Sequence, residues 1–255
     1  MKIKRYQFVT ILLFSACYVF SQTKNIHVFV ALCDNVNQGI VPVSKTLGNG
    51  QNPTTNLYWG ALYGVKTHFK KSKEWTYVKS IKSNNEKILE RVLFKHTKSG
   101  TYLLADAYDG KHICSATIDF LNACSGNNQE SLILEGERLS FGGDSGLLAY
   151  IGHNGLMDFS LDNTFSSLNE TKRDAVILAC ISKSFFSPYI KQTGANPLVW
   201  TTGLMAPEAY TLKWLIDGWI LEETYEQIRE RAAKAYNYYQ KCGMRGARNL
   251  LVTGY

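Results

Sequence analysis

Two residues, His153 and Cys180, have the types and the surroundings that covalent chemistry needs. A thiolate is a strong nucleophile, and a neighbouring imidazole can take the thiol proton and later return it to a leaving group. Each residue directly follows a short apolar run, residues 147–152 for the histidine and 175–179 for the cysteine. We therefore treat them as a candidate Cys/His dyad.

Both apolar runs have the composition of buried strands. If they are neighbours in a parallel sheet, their carboxyl ends lie at one edge, and the imidazole and the thiol come side by side. A helix that starts at about residues 182–185 would favour the thiolate further through its backbone amides. Taken singly, each residue has a structural explanation, a core cysteine and a hydrogen-bonded loop histidine; together and in this order they favour the dyad.

Asn154 and Gly155 follow the histidine and are the candidate oxyanion residues. Glycine has no side chain, so a substrate carbonyl can approach its backbone closely. Backbone N–H groups at this turn, together with the amide of Cys180, would then stabilise the oxyanion of an acyl-transfer reaction.

The segments ending in Gly152-His153-Asn154-Gly155 and in Ala179-Cys180 resemble the caspase-like cysteine peptidases of clan CD, which include gingipains, legumains, separases and CHAT-domain proteases. The stretch 198–210 is similar to the CHAT-type strand and helix that follow the cysteine. The resemblance implies a caspase-haemoglobinase-like fold and hydrolysis of peptide bonds. Members of this group usually have glycine immediately after the histidine, whereas Asn154 intervenes here, so an inactive relative is the alternative.

The same resemblance implies that the ends of the first and the last parallel strand shape the specificity pocket. In this chain those positions are Asp34, Asn35, Trp200 and Thr201. A carboxylate of Asp34 in the pocket would suit a basic substrate side chain, and the alternative is that Asp34 caps a loop. Asp158, shortly after the histidine, carries the same two interpretations.

Other catalytic patterns are missing from the sequence. It contains no HExxH and no paired CxxC, and His68, His96 and His112 have no partner at metal-ligand spacing, so we expect no metal. Neither GxGxxG nor GxxxxGK[ST] occurs, which weighs against a nucleotide, and we expect no cofactor. The Gly-Asp-Ser-Gly of residues 143–146 resembles a serine-protease loop, but a tight turn before a buried strand is the favoured interpretation. His27 lies inside the first strand and is predicted to be a core residue.

The elements alternate between strands and helices without a linker or repeat. Residues 22–255 are therefore predicted to form a single three-layer α/β domain with a mostly parallel sheet. Within it, Leu57, Ala61, Val65 and Phe69 have helical spacing, and a short helix is predicted around residues 166–173.

Residues 1–21 have the pattern of a secretory signal peptide, with Lys2, Lys4 and Arg5 ahead of the apolar run 8–20. Cleavage after Ser21 predicts a secreted or periplasmic protein without stable membrane insertion. The residues up to Cys17 faintly resemble a lipoprotein box, but the apolar run continues past the cysteine, so lipid anchoring is the less favoured alternative.

Composition and charge limit the classes of partner that the protein is expected to bind. With 45% hydrophobic and 19% charged residues the chain is globular in type. Without the leader it has 25 basic and 21 acidic residues, a net charge of only +4. The basic residues are scattered without aromatic platforms, so no nucleic-acid partner is expected.

Five cysteines follow the leader, and an odd number leaves at least one unpaired within the monomer. Cys114 and Cys124 are predicted to lie on one helix, where ten residues separate them by about 15 Å, too far for a disulfide.

The sequence therefore favours an exported cysteine peptidase-like hydrolase that acts on a peptide or protein substrate. One alternative is a non-catalytic exported binding protein with the same architecture. Another is a cysteine amidohydrolase with a different class of substrate.

Overall fold

The computed structural model describes residues 25–255, so the predicted signal peptide and its lipoprotein alternative lie outside the described residues. Ten strands and six helices follow one another in an α/β order. The strands are β1 (Ile26–Ala31), β2 (Trp75–Ser80), β3 (Ile88–His96), β4 (Tyr102–Tyr108), β5 (Glu130–Leu134), β6 (Glu137–Phe141), β7 (Leu147–Ile151), β8 (Asp174–Leu178), β9 (Asn196–Thr201) and β10 (Leu251–Val252). The helices are α1 (Val65–Lys71), α2 (Ile113–Cys124), α3 (Ser182–Thr193), α4 (Ala209–Ile220), α5 (Tyr225–Gln240) and α6 (Met244–Leu250).

Eight of these strands form one mixed sheet in the order β10-β9-β8-β7-β1-β4-β3-β2. The central strands β9, β8, β7, β1 and β4 are parallel, and the outer strands β10, β3 and β2 are antiparallel to their neighbours. The predicted mostly parallel sheet is thus confirmed. From β1 the chain passes to the edge strand β2 and returns through β3 to β4 beside β1, and it then adds β7, β8 and β9 on the other side of β1. The sheet therefore has a switch point between β1 and β7, a common place for ligand crevices.

The sheet carries hydrophobic clusters on its two faces, which is compatible with a three-layer α/β arrangement. Val28 and Val30 of β1 belong to a cluster with side chains of α1, α4, α5 and α6. Phe29 and Ala31 alternate to the opposite cluster, which contains side chains of α2 and α3. A strand covered on both faces must be apolar at successive positions, and this explains the continuous apolar runs of β1, β7 and β8.

The strands β7 and β8 begin and end within one residue of the predicted apolar runs 147–152 and 175–179. The 143–146 motif forms a short 3-10 turn directly before β7, as predicted. His27 is 1% exposed, which confirms the core prediction. Cys114 and Cys124 both lie on α2 and are free, so the prediction that they do not pair is also confirmed.

One predicted helix is shorter than its pattern, and another is absent. Of the residues with helical spacing, α1 includes Val65 and Phe69 but not Leu57 and Ala61. Ahead of this helix the chain packs closely on itself, and an added Cβ on Gly60 would be 2.0 Å from the carbonyl oxygen of Thr54. The crossover between β7 and β8 has no helix at residues 166–173. There the Asn169 side chain accepts hydrogen bonds from the Thr171 amide and the Arg173 guanidinium, a local bonding pattern that competes with helix formation.

Four elements were not predicted. The hairpin β5–β6 turns through Glu135 and Gly136, both at positive φ, and packs against the sheet through Leu139 and Phe141. The other two are α6 and the edge strand β10. The two residues of β10 are too few to show a hydrophobic periodicity.

Candidate active site

The candidate nucleophile and base follow two adjacent parallel strands in register. Ile151 of β7 is paired with Leu178 of β8, so His153 and Cys180 each come two residues after the last paired position. Neighbouring strands lie about 4.8 Å apart. The two loops are joined directly, because the Asn154 side-chain amide donates a 2.7 Å hydrogen bond to the backbone carbonyl of Cys180. The structure thus brings these two predicted residues to one sheet edge.

Gly152 sets the direction of the histidine loop. Its φ is +150°, and an added Cβ would lie 2.7 Å from the carbonyl oxygen of Ala31 on the neighbouring strand. Any side chain at this position would therefore push β7 away from β1, and glycine is the residue that lets the chain turn there.

The His153 ring is held by the carboxylate of Asp158. The sequence alone did not decide whether Asp158 lines the pocket or caps a loop. Nε2 of His153 lies 2.8 Å from Oδ2 of Asp158, five residues later in the chain. The His153 carbonyl also accepts a 2.9 Å hydrogen bond from the Tyr150 hydroxyl. A carboxylate on Nε2 orients the ring and stabilises an imidazolium, and it leaves Nδ1 as the nitrogen that can exchange a proton with a thiol.

The Asp158 carboxylate has a second contact, with the loop that follows β1. The backbone N–H of Gly39 donates to the same Oδ2 at 3.0 Å. An added Cβ on Gly39 would lie 2.4 Å from Oδ1 of Asp158, so this approach requires glycine. Asp158 therefore connects the histidine loop to the loop of residues 33–64.

Cys180 lies at the turn between β8 and α3 and is partly exposed. The backbone N–H of Met205 points to its sulfur at 3.4 Å, and the Met205 carbonyl oxygen lies 3.6 Å from the sulfur. The sulfur therefore lies within hydrogen-bond distance of one backbone amide and one backbone carbonyl, just before the N-terminus of α3. Met205 belongs to the loop after β9, so a third strand contributes to the same site.

Ile181, directly after the cysteine, has an unusual backbone conformation. Its φ is +51° and its ψ is +32°, in the left-handed region that a β-branched residue rarely adopts. Such strain persists only where the surroundings hold it, and it concentrates at functional sites. The tight turn moves the chain from strand to helix immediately after the thiol.

The two predicted oxyanion residues lie in a tight turn beside the cysteine. Asn154 is fully buried, and its side chain also caps the turn by accepting a hydrogen bond from the Leu156 amide. Glycine is required at position 155 by packing, because an added Cβ would lie 2.7 Å from the Phe159 ring. The predicted reason was close approach of a substrate carbonyl. Both residues are buried, and within residues 25–255 no hydrogen bond from the backbone N–H of either one is found.

Asp34 lies beside the site, and its carboxylate is already occupied. It accepts hydrogen bonds from the backbone amides of Val36 and Asn37 and from the side chains of Asn37 and Gln51, at 2.8 to 3.1 Å. Burial raises the pKa of Asp34, but these hydrogen bonds outweigh it and leave the pKa below its usual value. The residue is 1% exposed, so it organises the 33–64 loop from inside.

The other three predicted pocket residues also make hydrogen bonds within the fold: Asn35, Trp200 and Thr201. Asn35 exchanges two hydrogen bonds with the backbone of Val43, at 2.8 and 3.0 Å. Trp200 is fully buried, and its indole N–H bonds to the carbonyl of Gly254 at 2.9 Å. Thr201, also fully buried, accepts a 3.1 Å hydrogen bond from the Ser182 amide and so braces the turn that carries Cys180.

A second thiol, Cys33, lies near the site but has a different environment. Burial raises its pKa to about 11, so it is a neutral thiol at neutral pH. Tyr58 lies close to both thiols: burial raises its pKa first, and the nearby Cys33 and Cys180 raise it further. Sequence patterns gave no signal for Tyr58, which lies in the irregular part of the 33–64 loop.

Comparison of the chain with protein-family models, curated proteins and solved structures found no match. Among the described residues, no group of three or more histidine, cysteine, aspartate or glutamate side chains is arranged to hold a metal ion. None of the helices in residues 25–255 has both the length and the apolar character needed to cross a bilayer.

Proposed function

We propose that the protein is an exported cysteine hydrolase with a caspase-haemoglobinase-like fold that cleaves peptide amide bonds. The observation that carries the proposal is the arrangement of His153 and Cys180 after two in-register parallel strands, with the histidine held by Asp158. Neighbouring strand ends, an oriented imidazole and a thiol beside a backbone donor are what nucleophilic acyl transfer requires.

In the first half of the proposed reaction, Nδ1 of His153 accepts the thiol proton and the Cys180 sulfur bonds to the substrate carbonyl carbon. The negative charge on the carbonyl oxygen is stabilised by the backbone N–H groups of Asn154 and Gly155. When the C–N bond breaks, the imidazolium gives its proton to the amine that leaves. A thioester then links substrate and enzyme.

In the second half, water attacks the thioester carbon and His153 accepts the water proton. The C–S bond breaks, the carboxylic acid leaves, and the proton returns to the sulfur. Asp158 stabilises the imidazolium in both halves without taking a proton. No oxidant, cofactor or co-substrate other than water is needed.

The test is labelling of the purified protein with a peptide electrophile, followed by mass spectrometry of the labelled residue. We expect Cys180 to be labelled and the neutral, buried Cys33 to stay unlabelled. His153→Ala should slow the labelling of Cys180 at neutral pH by at least about 10-fold, since the general base is lost. Equal rates in the wild type and in this variant would contradict the dyad. Turnover of fluorogenic peptides rather than small amides would separate a peptidase from an amidohydrolase.

A binding protein without activity is the second candidate. It is favoured by Gly155, which faces the Phe159 ring in the interior, and by Asn154, which stands where the resembling peptidases have glycine. On this alternative, His153→Ala leaves the reactivity of Cys180 unchanged and no peptide is turned over.

A further inference from the structure

The thiol of Cys180 makes its hydrogen-bond contacts with the backbone of a single residue, Met205. The Met205 N–H points to the sulfur at 3.4 Å, and the Met205 carbonyl oxygen lies 3.6 Å from the sulfur. Within residues 25–255, no hydrogen bond joins the sulfur to the His153 ring, whose Nε2 lies beside Asp158. In this arrangement the acceptor within reach of the S–H group is a backbone carbonyl and not the candidate base.

The Met205 carbonyl belongs to a peptide unit that is also held from its other side. The N–H of Ala206 lies in the same unit and donates a 3.1 Å hydrogen bond to the hydroxyl of Tyr236. A peptide unit is planar, and in its trans form the C=O and N–H groups point in opposite directions. The described residues contain no cis peptide bond. One rigid plane therefore connects the Tyr236 hydroxyl on one side with the Cys180 sulfur on the other.

Tyr236 is a fixed anchor for this peptide unit. It lies on α5, is 6% exposed, and belongs to the hydrophobic cluster on that face of the sheet. Burial raises the pKa of Tyr236, and the nearby Cys242, Cys180 and Glu208 raise it further. The hydroxyl therefore stays neutral throughout the pH range of the experiment described below.

Other hydrogen bonds hold the loop of residues 202–208 without fixing this plane. The Gly203 carbonyl accepts a 2.8 Å hydrogen bond from the Ile181 amide, and the Ala209 amide donates to the Tyr63 carbonyl at 2.8 Å. The Met205 N–H belongs to the preceding peptide unit, which Tyr236 does not contact. The carbonyl can therefore turn away when the Tyr236 hydroxyl is removed, while the N–H keeps its place near the sulfur.

From this geometry we infer that Tyr236 is a positioning residue, which holds the Met205 carbonyl against Cys180 and so keeps the resting thiol protonated until the base takes the proton. The inference rests on the proposed function, because it treats Cys180 as the nucleophile. A hydrogen bond that a thiol can donate and a thiolate cannot favours the protonated form. In the proposed reaction, the proton leaves this contact and passes to Nδ1 of His153.

The experiment measures the rate at which iodoacetamide alkylates Cys180, at pH 6 and at pH 9.5. The peptide that contains Cys180 is followed by mass spectrometry, because Cys114 and Cys242 are also accessible. Iodoacetamide reacts with the thiolate, and an ordinary thiol, with a pKa of about 8.5, is mostly ionised at the higher pH. The ratio of the two rates therefore reports how much of the thiol is ionised at pH 6.

Tyr236→Phe removes the hydroxyl and keeps the ring. We expect this variant to raise the ratio of the pH 6 rate to the pH 9.5 rate at least about 3-fold over the wild type, since one hydrogen bond to the thiol is lost. A ratio equal to or below that of the wild type would overturn the inference. Loosening of the fold would raise both rates together and leave the ratio unchanged, so this outcome also counts against it.

Tyr238→Phe is the matched control. It makes the same change on the same helix, at a side chain that is 60% exposed and whose hydroxyl makes no hydrogen bond within residues 25–255. We expect the wild-type ratio in this variant, and an equal rise in both variants would overturn the inference. The other titratable groups on the elements around the thiol stay in place in both variants: Cys33, Tyr58, His153, Asp158 and Glu208.

A double variant separates this inference from the proposed function. Addition of Tyr236→Phe to His153→Ala should raise the ratio again, because the contact with the carbonyl does not involve the base. A ratio that Tyr236→Phe does not raise, with rates that still depend on His153, would overturn the inference alone. Rates that are independent of His153, with a ratio that Tyr236→Phe raises, would overturn the dyad alone.

Discussion

Two histidine–carboxylate pairs among the described residues have similar geometry and differ in their surroundings. His27 Nε2 lies 3.0 Å from Asp106 Oδ2, and His153 Nε2 lies 2.8 Å from Asp158 Oδ2. The first pair joins two strands inside the sheet, with side chains that are 2% and 0% exposed. The second lies at the carboxyl edge, with side chains that are 6% and 32% exposed, so the carboxylates and not the rings differ in exposure.

The first pair is closed on all sides. Nδ1 of His27 accepts the N–H of Gly142, so the ring proton lies on Nε2 and points to Asp106. Asp106 also accepts two 2.6 Å hydrogen bonds from Arg91. Burial raises the pKa of Asp106, but the hydrogen bonds and charges of Arg91 and His27 outweigh it and lower the pKa. With every nitrogen and oxygen occupied, this pair is structural.

In the second pair, no group of residues 25–255 bonds to Nδ1 of His153, and the histidine loop is joined by Asn154 to the backbone of the partly exposed Cys180. The difference shows that pairing with a carboxylate does not mark a catalytic histidine. What distinguishes the candidate base is an unused nitrogen at a sheet edge where neighbouring loops meet.

The two pairs should differ most in the free energy of unfolding that is lost when the carboxylate of each pair is removed. Asp106→Ala should lower the free energy of unfolding by about 3–5 kcal/mol, because it leaves the buried Arg91 charge without its main partner. Asp158→Ala, at a partly exposed pair, should cost less than about 1 kcal/mol. Urea denaturation followed by circular dichroism measures both, and similar losses would contradict the distinction.

Replacement of the two histidines should also change the free energy of unfolding unequally, by a smaller difference than replacement of the carboxylates. His27→Ala leaves the Gly142 amide and one Asp106 oxygen without a partner, at a cost of about 1–3 kcal/mol. His153→Ala should change the free energy of unfolding by less than this, while it slows alkylation of Cys180. A destabilised His153→Ala protein with normal thiol reactivity would reverse our assignment of the two pairs.

Asp158→Asn tests the orienting role of the carboxylate. The amide keeps the shape of the side chain but not its charge, so we expect about a 10-fold fall in the alkylation rate at neutral pH, or 1.4 kcal/mol. The pH dependence of alkylation should change as well, which a merely structural residue would not cause. Asp158→Glu restores the charge and is expected to recover part of the rate.

The smallest expected effect concerns pH and Asp34. A carboxylate with a lowered pKa in the folded state stabilises the protein above the pKa of the unfolded chain, and this contribution is lost as the pH falls through the folded pKa. Between pH 6 and pH 3, the wild type should therefore lose more stability than Asp34→Asn. The difference between their urea-unfolding curves isolates this residue, and parallel losses would show that the loop network does not favour the charged form.

Much of the frame around the site could be predicted from local patterns. The apolar runs of β1, β7 and β8 identify buried strands, because a strand covered on both faces needs apolar residues at successive positions. The hairpin β5–β6 was missed, since Leu132, Ile133 and Leu134 form a short apolar run without the alternation that marks a half-buried strand. The helix predicted around residues 166–173 is absent for a different reason. There the Asn169 side chain bonds to the Thr171 amide and the Arg173 guanidinium, and the sequence pattern does not show these hydrogen bonds.

The sequence by itself determined that a histidine and a cysteine each follow a buried strand, in an order that permits a dyad, because strand periodicity is a local property of the chain. Only the tertiary structure decided which carboxylate meets which histidine. Asp106 is 79 residues from His27, and Gly39 is 119 residues from Asp158. Such contacts follow from the order and register of the sheet. For the same reason, only the folded chain shows that the carboxylate of Asp34 is occupied by hydrogen bonds of its own loop.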